Sequence, residues 1–469
     1  MRLFEINSRV HGKSFDLVTD AELASLGDLG FDAVWMMGVW QISDGVRKLS
    51  KIASDDYEGS PYAVPTYEIN RELGGRNKFA RLVKCAHDAG LSVIVDFVSN
   101  HMAVDSPWII RHPDFFIRSD PKARKQSTNE FFLHKSGEVV AFGRDPYFAP
   151  WNDTAQLDYT NARLRTRLIQ ELKRISKIAD GVRCDMAMLV LKECFHRLWY
   201  PELPDAAFDE KWPREFWDQA ISSVKEVSPG FQFIAEAYWD KEQQLADLGF
   251  DLCYEKKLYD ALVAHDASRV LERLQRNTAT LRRSLYFIEN HDEPRAASVF
   301  NNPDNLAALA LILTVPGSVL IHEGQMEGKR ERLPVQRIIP LADEQPDLAL
   351  KASYVRILKA THDDVFNMGE FHLFDPQVYG AIGVIRNDTK RVVAYLGQIS
   401  DAWHRFNGPQ LNVTAIAHAA GAQTRLRLVN LLNSSSATVQ EVDGTLKIET
   451  SRLGVDDDTK FCLVEAFPA

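Results

Sequence analysis

Short apolar runs that alternate with helical stretches extend through most of this 469-residue chain. The stretches between the runs, such as residues 77–87, 161–178 and 213–227, have the pattern of helices. Strands buried on both faces and separated by helices are typical of parallel α/β proteins. Eight such runs favour closure into a (β/α)8 TIM barrel over an open sheet. The runs cover residues 3–6, 33–36, 92–95, 178–183, 231–235, 250–254, 285–288 and 318–321.

Two segments depart from this alternation. Residues 102–156 follow the third run and are rich in aromatic, Pro and Asp residues, which predicts an inserted subdomain above the carboxyl ends of the barrel strands. Beyond residue 362, short alternating runs predict an antiparallel β-sandwich. The sequence therefore predicts a barrel from residues 1–101 and 157–362, an insertion at 102–156 and a C-terminal all-β domain at 363–469.

Composition excludes several classes of function. The net charge of −10 is spread along the chain, which argues against nucleic acid as a partner. No run approaches the ~20 apolar residues of a membrane-spanning helix, so we expect no membrane partner. The five cysteines are scattered and form no close Cys/His cluster, and the chain begins without an apolar signal segment. We therefore expect reduced thiols and a cytoplasmic protein.

Three carboxylates, Asp185, Glu236 and Asp292, each follow one of the predicted strands. In a parallel barrel the carboxyl ends of all strands open on one face, so three acids at three strand ends can converge in one pocket. Two of them are enough for glycoside hydrolysis, one as nucleophile and one as proton donor. The alternative for each acid, taken alone, is an ordinary salt-bridged loop residue.

Several separated motifs resemble, in their order, those of the α-amylase family, glycoside hydrolase family 13. This family contains retaining α-glycosidases and transglycosylases. The resemblance covers the barrel, the insertion and the C-terminal domain. The motifs are Asp96-Phe-Val-Ser-Asn-His101, Gly181-Val-Arg-Cys-Asp185, Glu236 after Ile-Ala, and Asn290-His-Asp292, with support from Gly59-Ser-Pro-Tyr62 and Gln156-Leu-Asp158.

This resemblance implies a role for each acid. Asp185 is the expected nucleophile, which forms a covalent glycosyl-enzyme, and Glu236 is the expected general acid and base. Asp292 is expected to bind sugar hydroxyls and stabilise the transition state. Arg183, two residues before Asp185 on one strand, faces the same side and keeps the nucleophile ionised. The alternative for Arg183 and Asp185 is an ordinary ion pair at a strand end.

The resemblance also implies substrate contacts. His101 and His291 are expected to touch the bound glucose unit, and Tyr62 to offer an aromatic face to the sugar ring. For any lone His or Tyr a role in the core is the alternative. Asp96 and Asn100 are expected to support the site, with Asp96 pairing with Arg183.

Members of the family often bind calcium between barrel and insertion. Asn100 and Asp158 occupy positions that match the usual ligands. Two oxygen donors do not fill a calcium site, which takes six to eight. We therefore expect no required cofactor, with calcium at Asn100 and Asp158 as the alternative.

One departure from the family pattern bears on the substrate. Endo-acting members carry a Lys-His pair where this chain has Met188 and Leu189. The sequence thus favours a carbohydrate-active enzyme for short α-glucans or disaccharides, either cleaving or transferring α-glucosyl units. The alternatives are a glucanotransferase, a maltosyltransferase, a trehalose- or sucrose-type isomerase or phosphorylase, and a non-catalytic relative, which would have lost the three acids.

Overall fold

The computed structural model describes residues 1–10, 14–120, 129–339, 343–399, 410–455 and 459–469. Within them a closed barrel of parallel strands has the order β1-β13-β12-β11-β10-β9-β3-β2, which confirms the predicted barrel. Its strands are β1 (Arg2–Asn7), β2 (Ala33–Met37), β3 (Ser92–Val98), β9 (Gly181–Asp185), β10 (Gln232–Ala235), β11 (Leu252–Tyr254), β12 (Ser284–Tyr286) and β13 (Ser318–His322).

Helices follow the barrel strands, as the alternation of the sequence predicts. The α-helices are Asp20–Asp28, Asp44–Ala53, Gly75–Asp88, Pro107–Arg111, Ala162–Ile175, Lys192–Trp199, Asp205–Lys211, Phe216–Lys225, Glu242–Asp247, Lys256–Val263, Ala267–Leu274, Thr278–Arg282, Ala296–Val299, Asn302–Thr314, Leu348–Ala360, Asp364–Met368 and Thr414–Ala419. Short 3-10 turns lie at Phe15–Leu17, Pro113–Phe115, Ala187–Val190 and Thr450–Leu453.

Strand β9 sets the position of the candidate catalytic residues. All five of its residues are buried, as expected for a central strand covered on both faces. It pairs with β3 so that Asp96 lies opposite Arg183, and with β10 so that Arg183 lies opposite Ile234. This register brings the carboxyl ends of β9 and β10, where Asp185 and Glu236 lie, side by side.

The segment at 102–156 contains regular structure that its sequence did not predict. Strand β4 (His101–Ala103) pairs with β8 (Thr154–Gln156), and β5 (Arg118–Ser119), β7 (Val139–Ala141) and β6 (Phe131–Leu133) form a three-stranded sheet. Each strand has two or three residues, too few to produce a readable alternation.

The C-terminal residues form two antiparallel sheets. A six-stranded sheet has the order β14-β15-β16-β21-β18-β19, and β17 pairs with β20. Buried residues of both sheets, including Leu411, Leu428 and Ile448, share one apolar core, as a sandwich requires. The strands are β14 (Glu370–Phe374), β15 (Ala381–Asn387), β16 (Val392–Gln398), β17 (Gln410–Asn412), β18 (Arg425–Asn430), β19 (Ser436–Gln440), β20 (Lys447–Glu449) and β21 (Phe461–Pro468).

The chain folds as two compact units. The N-terminal unit consists mainly of Phe4–Tyr254 and contains Asp185 and Glu236, whereas Asp292 belongs to the C-terminal unit, which includes Glu255–Arg332 and the C-terminal sheets. The predicted domain boundaries at residues 101, 156 and 362 stay a prediction. Of the helices in the described residues, none has the length and apolar character needed to span a membrane.

Candidate active site

One buried guanidinium joins two of the predicted catalytic acids. Arg183 Nη1 donates a hydrogen bond to Asp185 Oδ1 at 2.7 Å. Its Nη2 lies 2.9 Å from Glu236 Oε2, an ion pair that lacks the alignment of a hydrogen bond. All three side chains are buried. The period of two along β9 puts Arg183 and Asp185 on one side of the strand, as predicted, and the neighbouring strand supplies Glu236.

Aromatic rings surround the same guanidinium. Its Cζ lies 5.3 Å from the ring centre of Trp35, 5.2 Å from that of Tyr62 and 5.7 Å from that of Tyr254. Burial opposes the positive charge, but Glu236, the two tyrosines and Asp185 together raise the pKa of Arg183 well above its ordinary value. Arg183 is therefore a fixed cation between the two carboxylates. Tyr62, predicted as a stacking surface for sugar, is half-buried and has one contact with this cation.

Glu236 also receives hydrogen bonds that the sequence did not reveal. The backbone N–H of Met186 donates to its Oε2 at 2.6 Å, and the hydroxyl of Tyr238 donates to its Oε1 at 2.9 Å. Met186 has a φ of 45°, a left-handed conformation that is uncommon for a residue other than glycine. This turn aims the N–H of the residue after Asp185 at the Glu236 carboxylate.

Asp96 fixes the neighbouring strands. Its Oδ1 accepts a hydrogen bond from Trp35 Nε1 at 3.1 Å, and its Oδ2 accepts one from the Gly38 N–H at 2.8 Å. The buried carboxylate thus ties β3 to β2, next to the ring that contacts Arg183. Asp96 and Arg183 are cross-strand neighbours, and the ion pair expected between their side chains stays a prediction.

His101 begins β4 and is buried. Burial lowers the pKa of His101 to about 3, against the opposite effect of a hydrogen bond with the Tyr62 backbone. The imidazole is therefore neutral near pH 7. Its ring lies 5.1 Å from that of Trp151, so a residue of the inserted segment covers it.

The oxygens of Asn100 and Asp158, the candidate calcium ligands, already accept hydrogen bonds from other residues of the protein. The amide nitrogen of Gln156 donates to the Asn100 carbonyl at 2.9 Å, to Asn100 Oδ1 at 3.1 Å and to the Leu157 carbonyl at 3.1 Å. Asp158 accepts hydrogen bonds from Thr160 and from the Tyr200 hydroxyl. The described residues contain no cluster of three or more His, Cys, Asp or Glu suited to a metal ion.

These residues do not fit calcium, because an amide nitrogen lies among the oxygens that a cation would need. We expect the melting temperature of the protein to be the same in EDTA and in calcium chloride. A resident ion at 100 times its Kd would add about 2.7 kcal/mol of stability, which a melting curve would detect.

A variant provides the matched control for this measurement. Gln156→Glu replaces the amide donor with acceptors that face three oxygens, so it should melt lower and should regain stability when calcium is added. A wild-type melting temperature that falls in EDTA would contradict the absence of calcium.

In the C-terminal unit, Asp292 follows β12. His291 Nε2 lies 2.9 Å from Asp292 Oδ2, and Asn290 Oδ1 accepts hydrogen bonds from the backbone N–H groups of Asp292 and Glu293. His291 is buried, whereas the Asp292 side chain is 37% exposed. The motif thus folds into a turn that leaves the carboxylate accessible.

An exposed aromatic pair lies on the insertion. Tyr147 and Phe148 are 69% and 76% exposed, and Asp145 Oδ1 accepts hydrogen bonds from both of their backbone N–H groups. The Tyr147 ring lies 5.2 Å from that of Trp239, three residues after Glu236. Trp239 and Asp240 have φ values of 60° and 61°, so a strained turn presents this indole. The sequence predicted an aromatic insertion, but not the contact between Tyr147 and Trp239.

Comparisons with known proteins identify the family and the fold. The family model for the α-amylase catalytic domain matches residues 18–345. An α-amylase of Haloarcula japonica is 24% identical over 360 residues, which are 74% of this chain and 46% of that protein. A maltosyltransferase of Cereibacter sphaeroides that uses α-1,4-glucan and maltose 1-phosphate is 38% identical over 114 residues, or 23% of this chain and 19% of that protein.

The structural similarity covers more of the chain than the sequence matches do. The solved structure of a maltogenic α-amylase from Thermotoga neapolitana aligns with a TM-score of 0.74 at 21% identity, over 100% of this chain and 99% of that chain. This chain spans about half the length of the curated relatives it matches first. The family model matches residues 18–345, which include strands β9 and β10 and the contacts of Arg183 with Asp185 and Glu236. The chain therefore belongs to the α-amylase family.

Proposed function

We propose that the chain is a retaining enzyme that cleaves or transfers α-glucosyl units of short α-glucans or disaccharides. One observation supports this proposal. The carboxylates of Asp185 and Glu236, at the ends of adjacent strands, both contact the buried guanidinium of Arg183. Retaining enzymes place their two acids ~5–5.5 Å apart, a spacing that two groups on one guanidinium can satisfy.

The reaction follows from this arrangement. The Asp185 carboxylate attacks the anomeric carbon while the bond to the leaving oxygen breaks, and Glu236 gives its proton to that oxygen. Water or a sugar hydroxyl then gives its proton to Glu236 and displaces Asp185. Arg183 is a fixed cation whose Nη1 contacts Asp185 Oδ1. It therefore favours the charged form of the Asp185 carboxylate.

Other residues are proposed to hold the sugar. Asp292 and His291 lie in a turn after the seventh barrel strand, where a carboxylate can bind hydroxyls as charge develops on the ring. His101, kept neutral by burial, can serve as a hydrogen-bonding group without a change of charge. The half-buried Tyr62 offers the ring face that does not contact Arg183.

Transfer to a second sugar is the other candidate outcome. The exposed ring of Tyr147 contacts Trp239, which follows Glu236 by three residues, and together with the exposed ring of Phe148 it offers apolar faces to a second sugar. A sugar acceptor bound there would compete with water for the glycosyl-enzyme.

Product analysis tests the proposal. The protein is incubated with maltose, trehalose, sucrose, isomaltose and maltoheptaose, and the products are followed by NMR. Hydrolysis with retention gives the α-anomer of the released sugar first, whereas transfer gives new, longer saccharides. Release of the β-anomer first would mean inversion and would exclude Asp185 as a nucleophile.

The preferred substrate length depends on Met188 and Leu189. Both are buried in the turn Ala187–Val190, and neither side chain can hydrogen-bond a sugar hydroxyl. We expect a higher kcat/KM, per bond, on maltose and maltotriose than on soluble starch. Starch viscosity is the control: a rapid loss of viscosity with few new reducing ends would indicate internal cleavage and contradict this expectation.

The remaining properties are also proposals. We infer that the enzyme acts in the cytoplasm, and the support is that none of the five cysteines, all of them within the described residues, forms a disulfide, while three of them are buried. We infer that no cofactor takes part, because the two-acid mechanism needs none.

A further inference from the structure

A cavity of about 490 Å³ lies in the N-terminal unit, at the end of the helix Lys192–Trp199. We call it the Trp199 pocket, and its walls include Phe116, Arg118, Arg144, Asp158, Trp199 and Tyr200. Its size falls within the ~300–1,000 Å³ typical of small-molecule sites. Asp185 and Glu236 are not among its lining residues, so the proposed reaction gives it no role.

The aromatic rings of the Trp199 pocket are held in place by their neighbours. The guanidinium of Arg144 lies over the Trp199 ring, 4.7 Å from its centre. The Tyr200 hydroxyl donates a hydrogen bond to Asp158 Oδ2 at 2.8 Å. Trp199 and Tyr200 are half-buried, so part of each ring stays accessible. A ligand would therefore meet rings that are already ordered, which lowers the entropy lost on binding.

Both arginines of the pocket pair with acids of the protein. Arg144 Nη1 pairs with Glu130 at 2.9 Å and Arg118 Nη1 with Glu138 at 3.2 Å. Asp158 accepts hydrogen bonds from the hydroxyls of Thr160 and Tyr200, which leave its negative charge in place. An anionic ligand such as phosphate would therefore find a carboxylate and two arginines that already have acidic partners.

A neutral ligand with many hydroxyl groups suits this lining. A carboxylate has about four acceptor positions and a guanidinium five N–H donors, so both keep hydrogen-bonding capacity beyond their internal partners. Partly exposed rings add apolar faces on which the C–H groups of a pyranose can lie. Together these groups match a sugar better than an ion or a hydrocarbon.

We propose that the Trp199 pocket is a second carbohydrate-binding site, which holds one or two glucose units of a neutral α-glucan away from the site of bond cleavage. The choice of α-glucan as the sugar rests on the proposed function. A glucan held there keeps further segments of the same chain at a raised local concentration near the enzyme, without any new catalytic contact.

Titration calorimetry with maltoheptaose tests this proposal. The Asp185→Asn variant serves as background, so that the ligand is not consumed. We expect two binding sites per chain, and we expect Trp199→Ala to weaken one of them about tenfold and leave the other unchanged. Tyr379→Ala is the matched control, because Tyr379 is a 74% exposed ring in the C-terminal unit, and it should change neither site. A single site, or two sites that survive Trp199→Ala, would overturn the proposal.

A second measurement needs no substitution at Trp199. Hydroxyl-radical labelling of the wild-type side chains, with and without maltoheptaose, should show protection of Trp199 and Tyr200. Labelling that maltoheptaose leaves unchanged at both residues would also reject the pocket as a sugar site. An enzyme active on maltose with one glucan site defeats this proposal alone, whereas a chain inactive on every α-glucoside defeats the proposed function.

Discussion

Asp185→Asn should lose activity by a factor of about 10⁴ or more in kcat, the scale seen when a nucleophile is removed. Asn keeps the shape of the side chain and an oxygen to accept the Arg183 hydrogen bond, now 2.7 Å long, but it cannot form the covalent glycosyl-enzyme. The measurement is kcat on maltose, together with a melting curve that should show a folded protein. Arg183 keeps a charged partner, because Glu236 lies 2.9 Å from its other nitrogen.

Asp209→Asn is the matched control for this substitution. Asp209 is an aspartate of the same unit that is 62% exposed and pairs with Lys192, so its loss should leave kcat unchanged. If Asp185→Asn keeps more than about a tenth of the wild-type activity, another residue must be the nucleophile.

Glu236→Gln should separate substrates by their leaving groups. The amide has no proton to give, so kcat on maltose should fall by about 10²–10⁴, the usual contribution of general acid catalysis. An aryl α-glucoside such as 4-nitrophenyl α-glucoside needs no proton on its leaving oxygen, so its first step should be nearly unaffected. Pre-steady-state release of nitrophenol measures that step, and added azide should speed the second by replacing the water that Glu236 activates.

Glu215→Gln is the control for a half-buried acid outside the site. Burial raises the pKa of Glu215 to about 7, and its carboxylate accepts a hydrogen bond from the Lys192 N–H. Glu215→Gln should change the rates on maltose and on the aryl glucoside by the same factor. An equal loss on maltose and on the aryl glucoside in Glu236→Gln would contradict the role of Glu236 as the acid.

The barrel is predictable from the sequence because each strand is a compact apolar run between helices. The position of Arg183 on the same side of its strand as Asp185 is also predictable, since side chains two residues apart on a strand face the same side. Contacts between residues that are far apart in the chain do not follow from such local rules. Trp35, Tyr62 and Tyr254 meet at one guanidinium only because the barrel brings their strands and loops together.

Two further features had no local signal. Met186 adopts a left-handed conformation although it is not Gly or Asn, so nothing in its type predicts the turn. Gln156 looks like part of a calcium motif, and only the three acceptors around its amide nitrogen show otherwise.

The aromatic surroundings of Arg183 bear on how this enzyme can be engineered. Trp35 touches both the guanidinium and the Asp96 carboxylate, yet it is fully buried in β2. A mutant library restricted to positions that line the cleft would leave this indole untouched. Changes at such buried positions would move the cation that contacts Asp185, the proposed nucleophile, so they offer a way to alter turnover while the sugar-facing surface stays as it is.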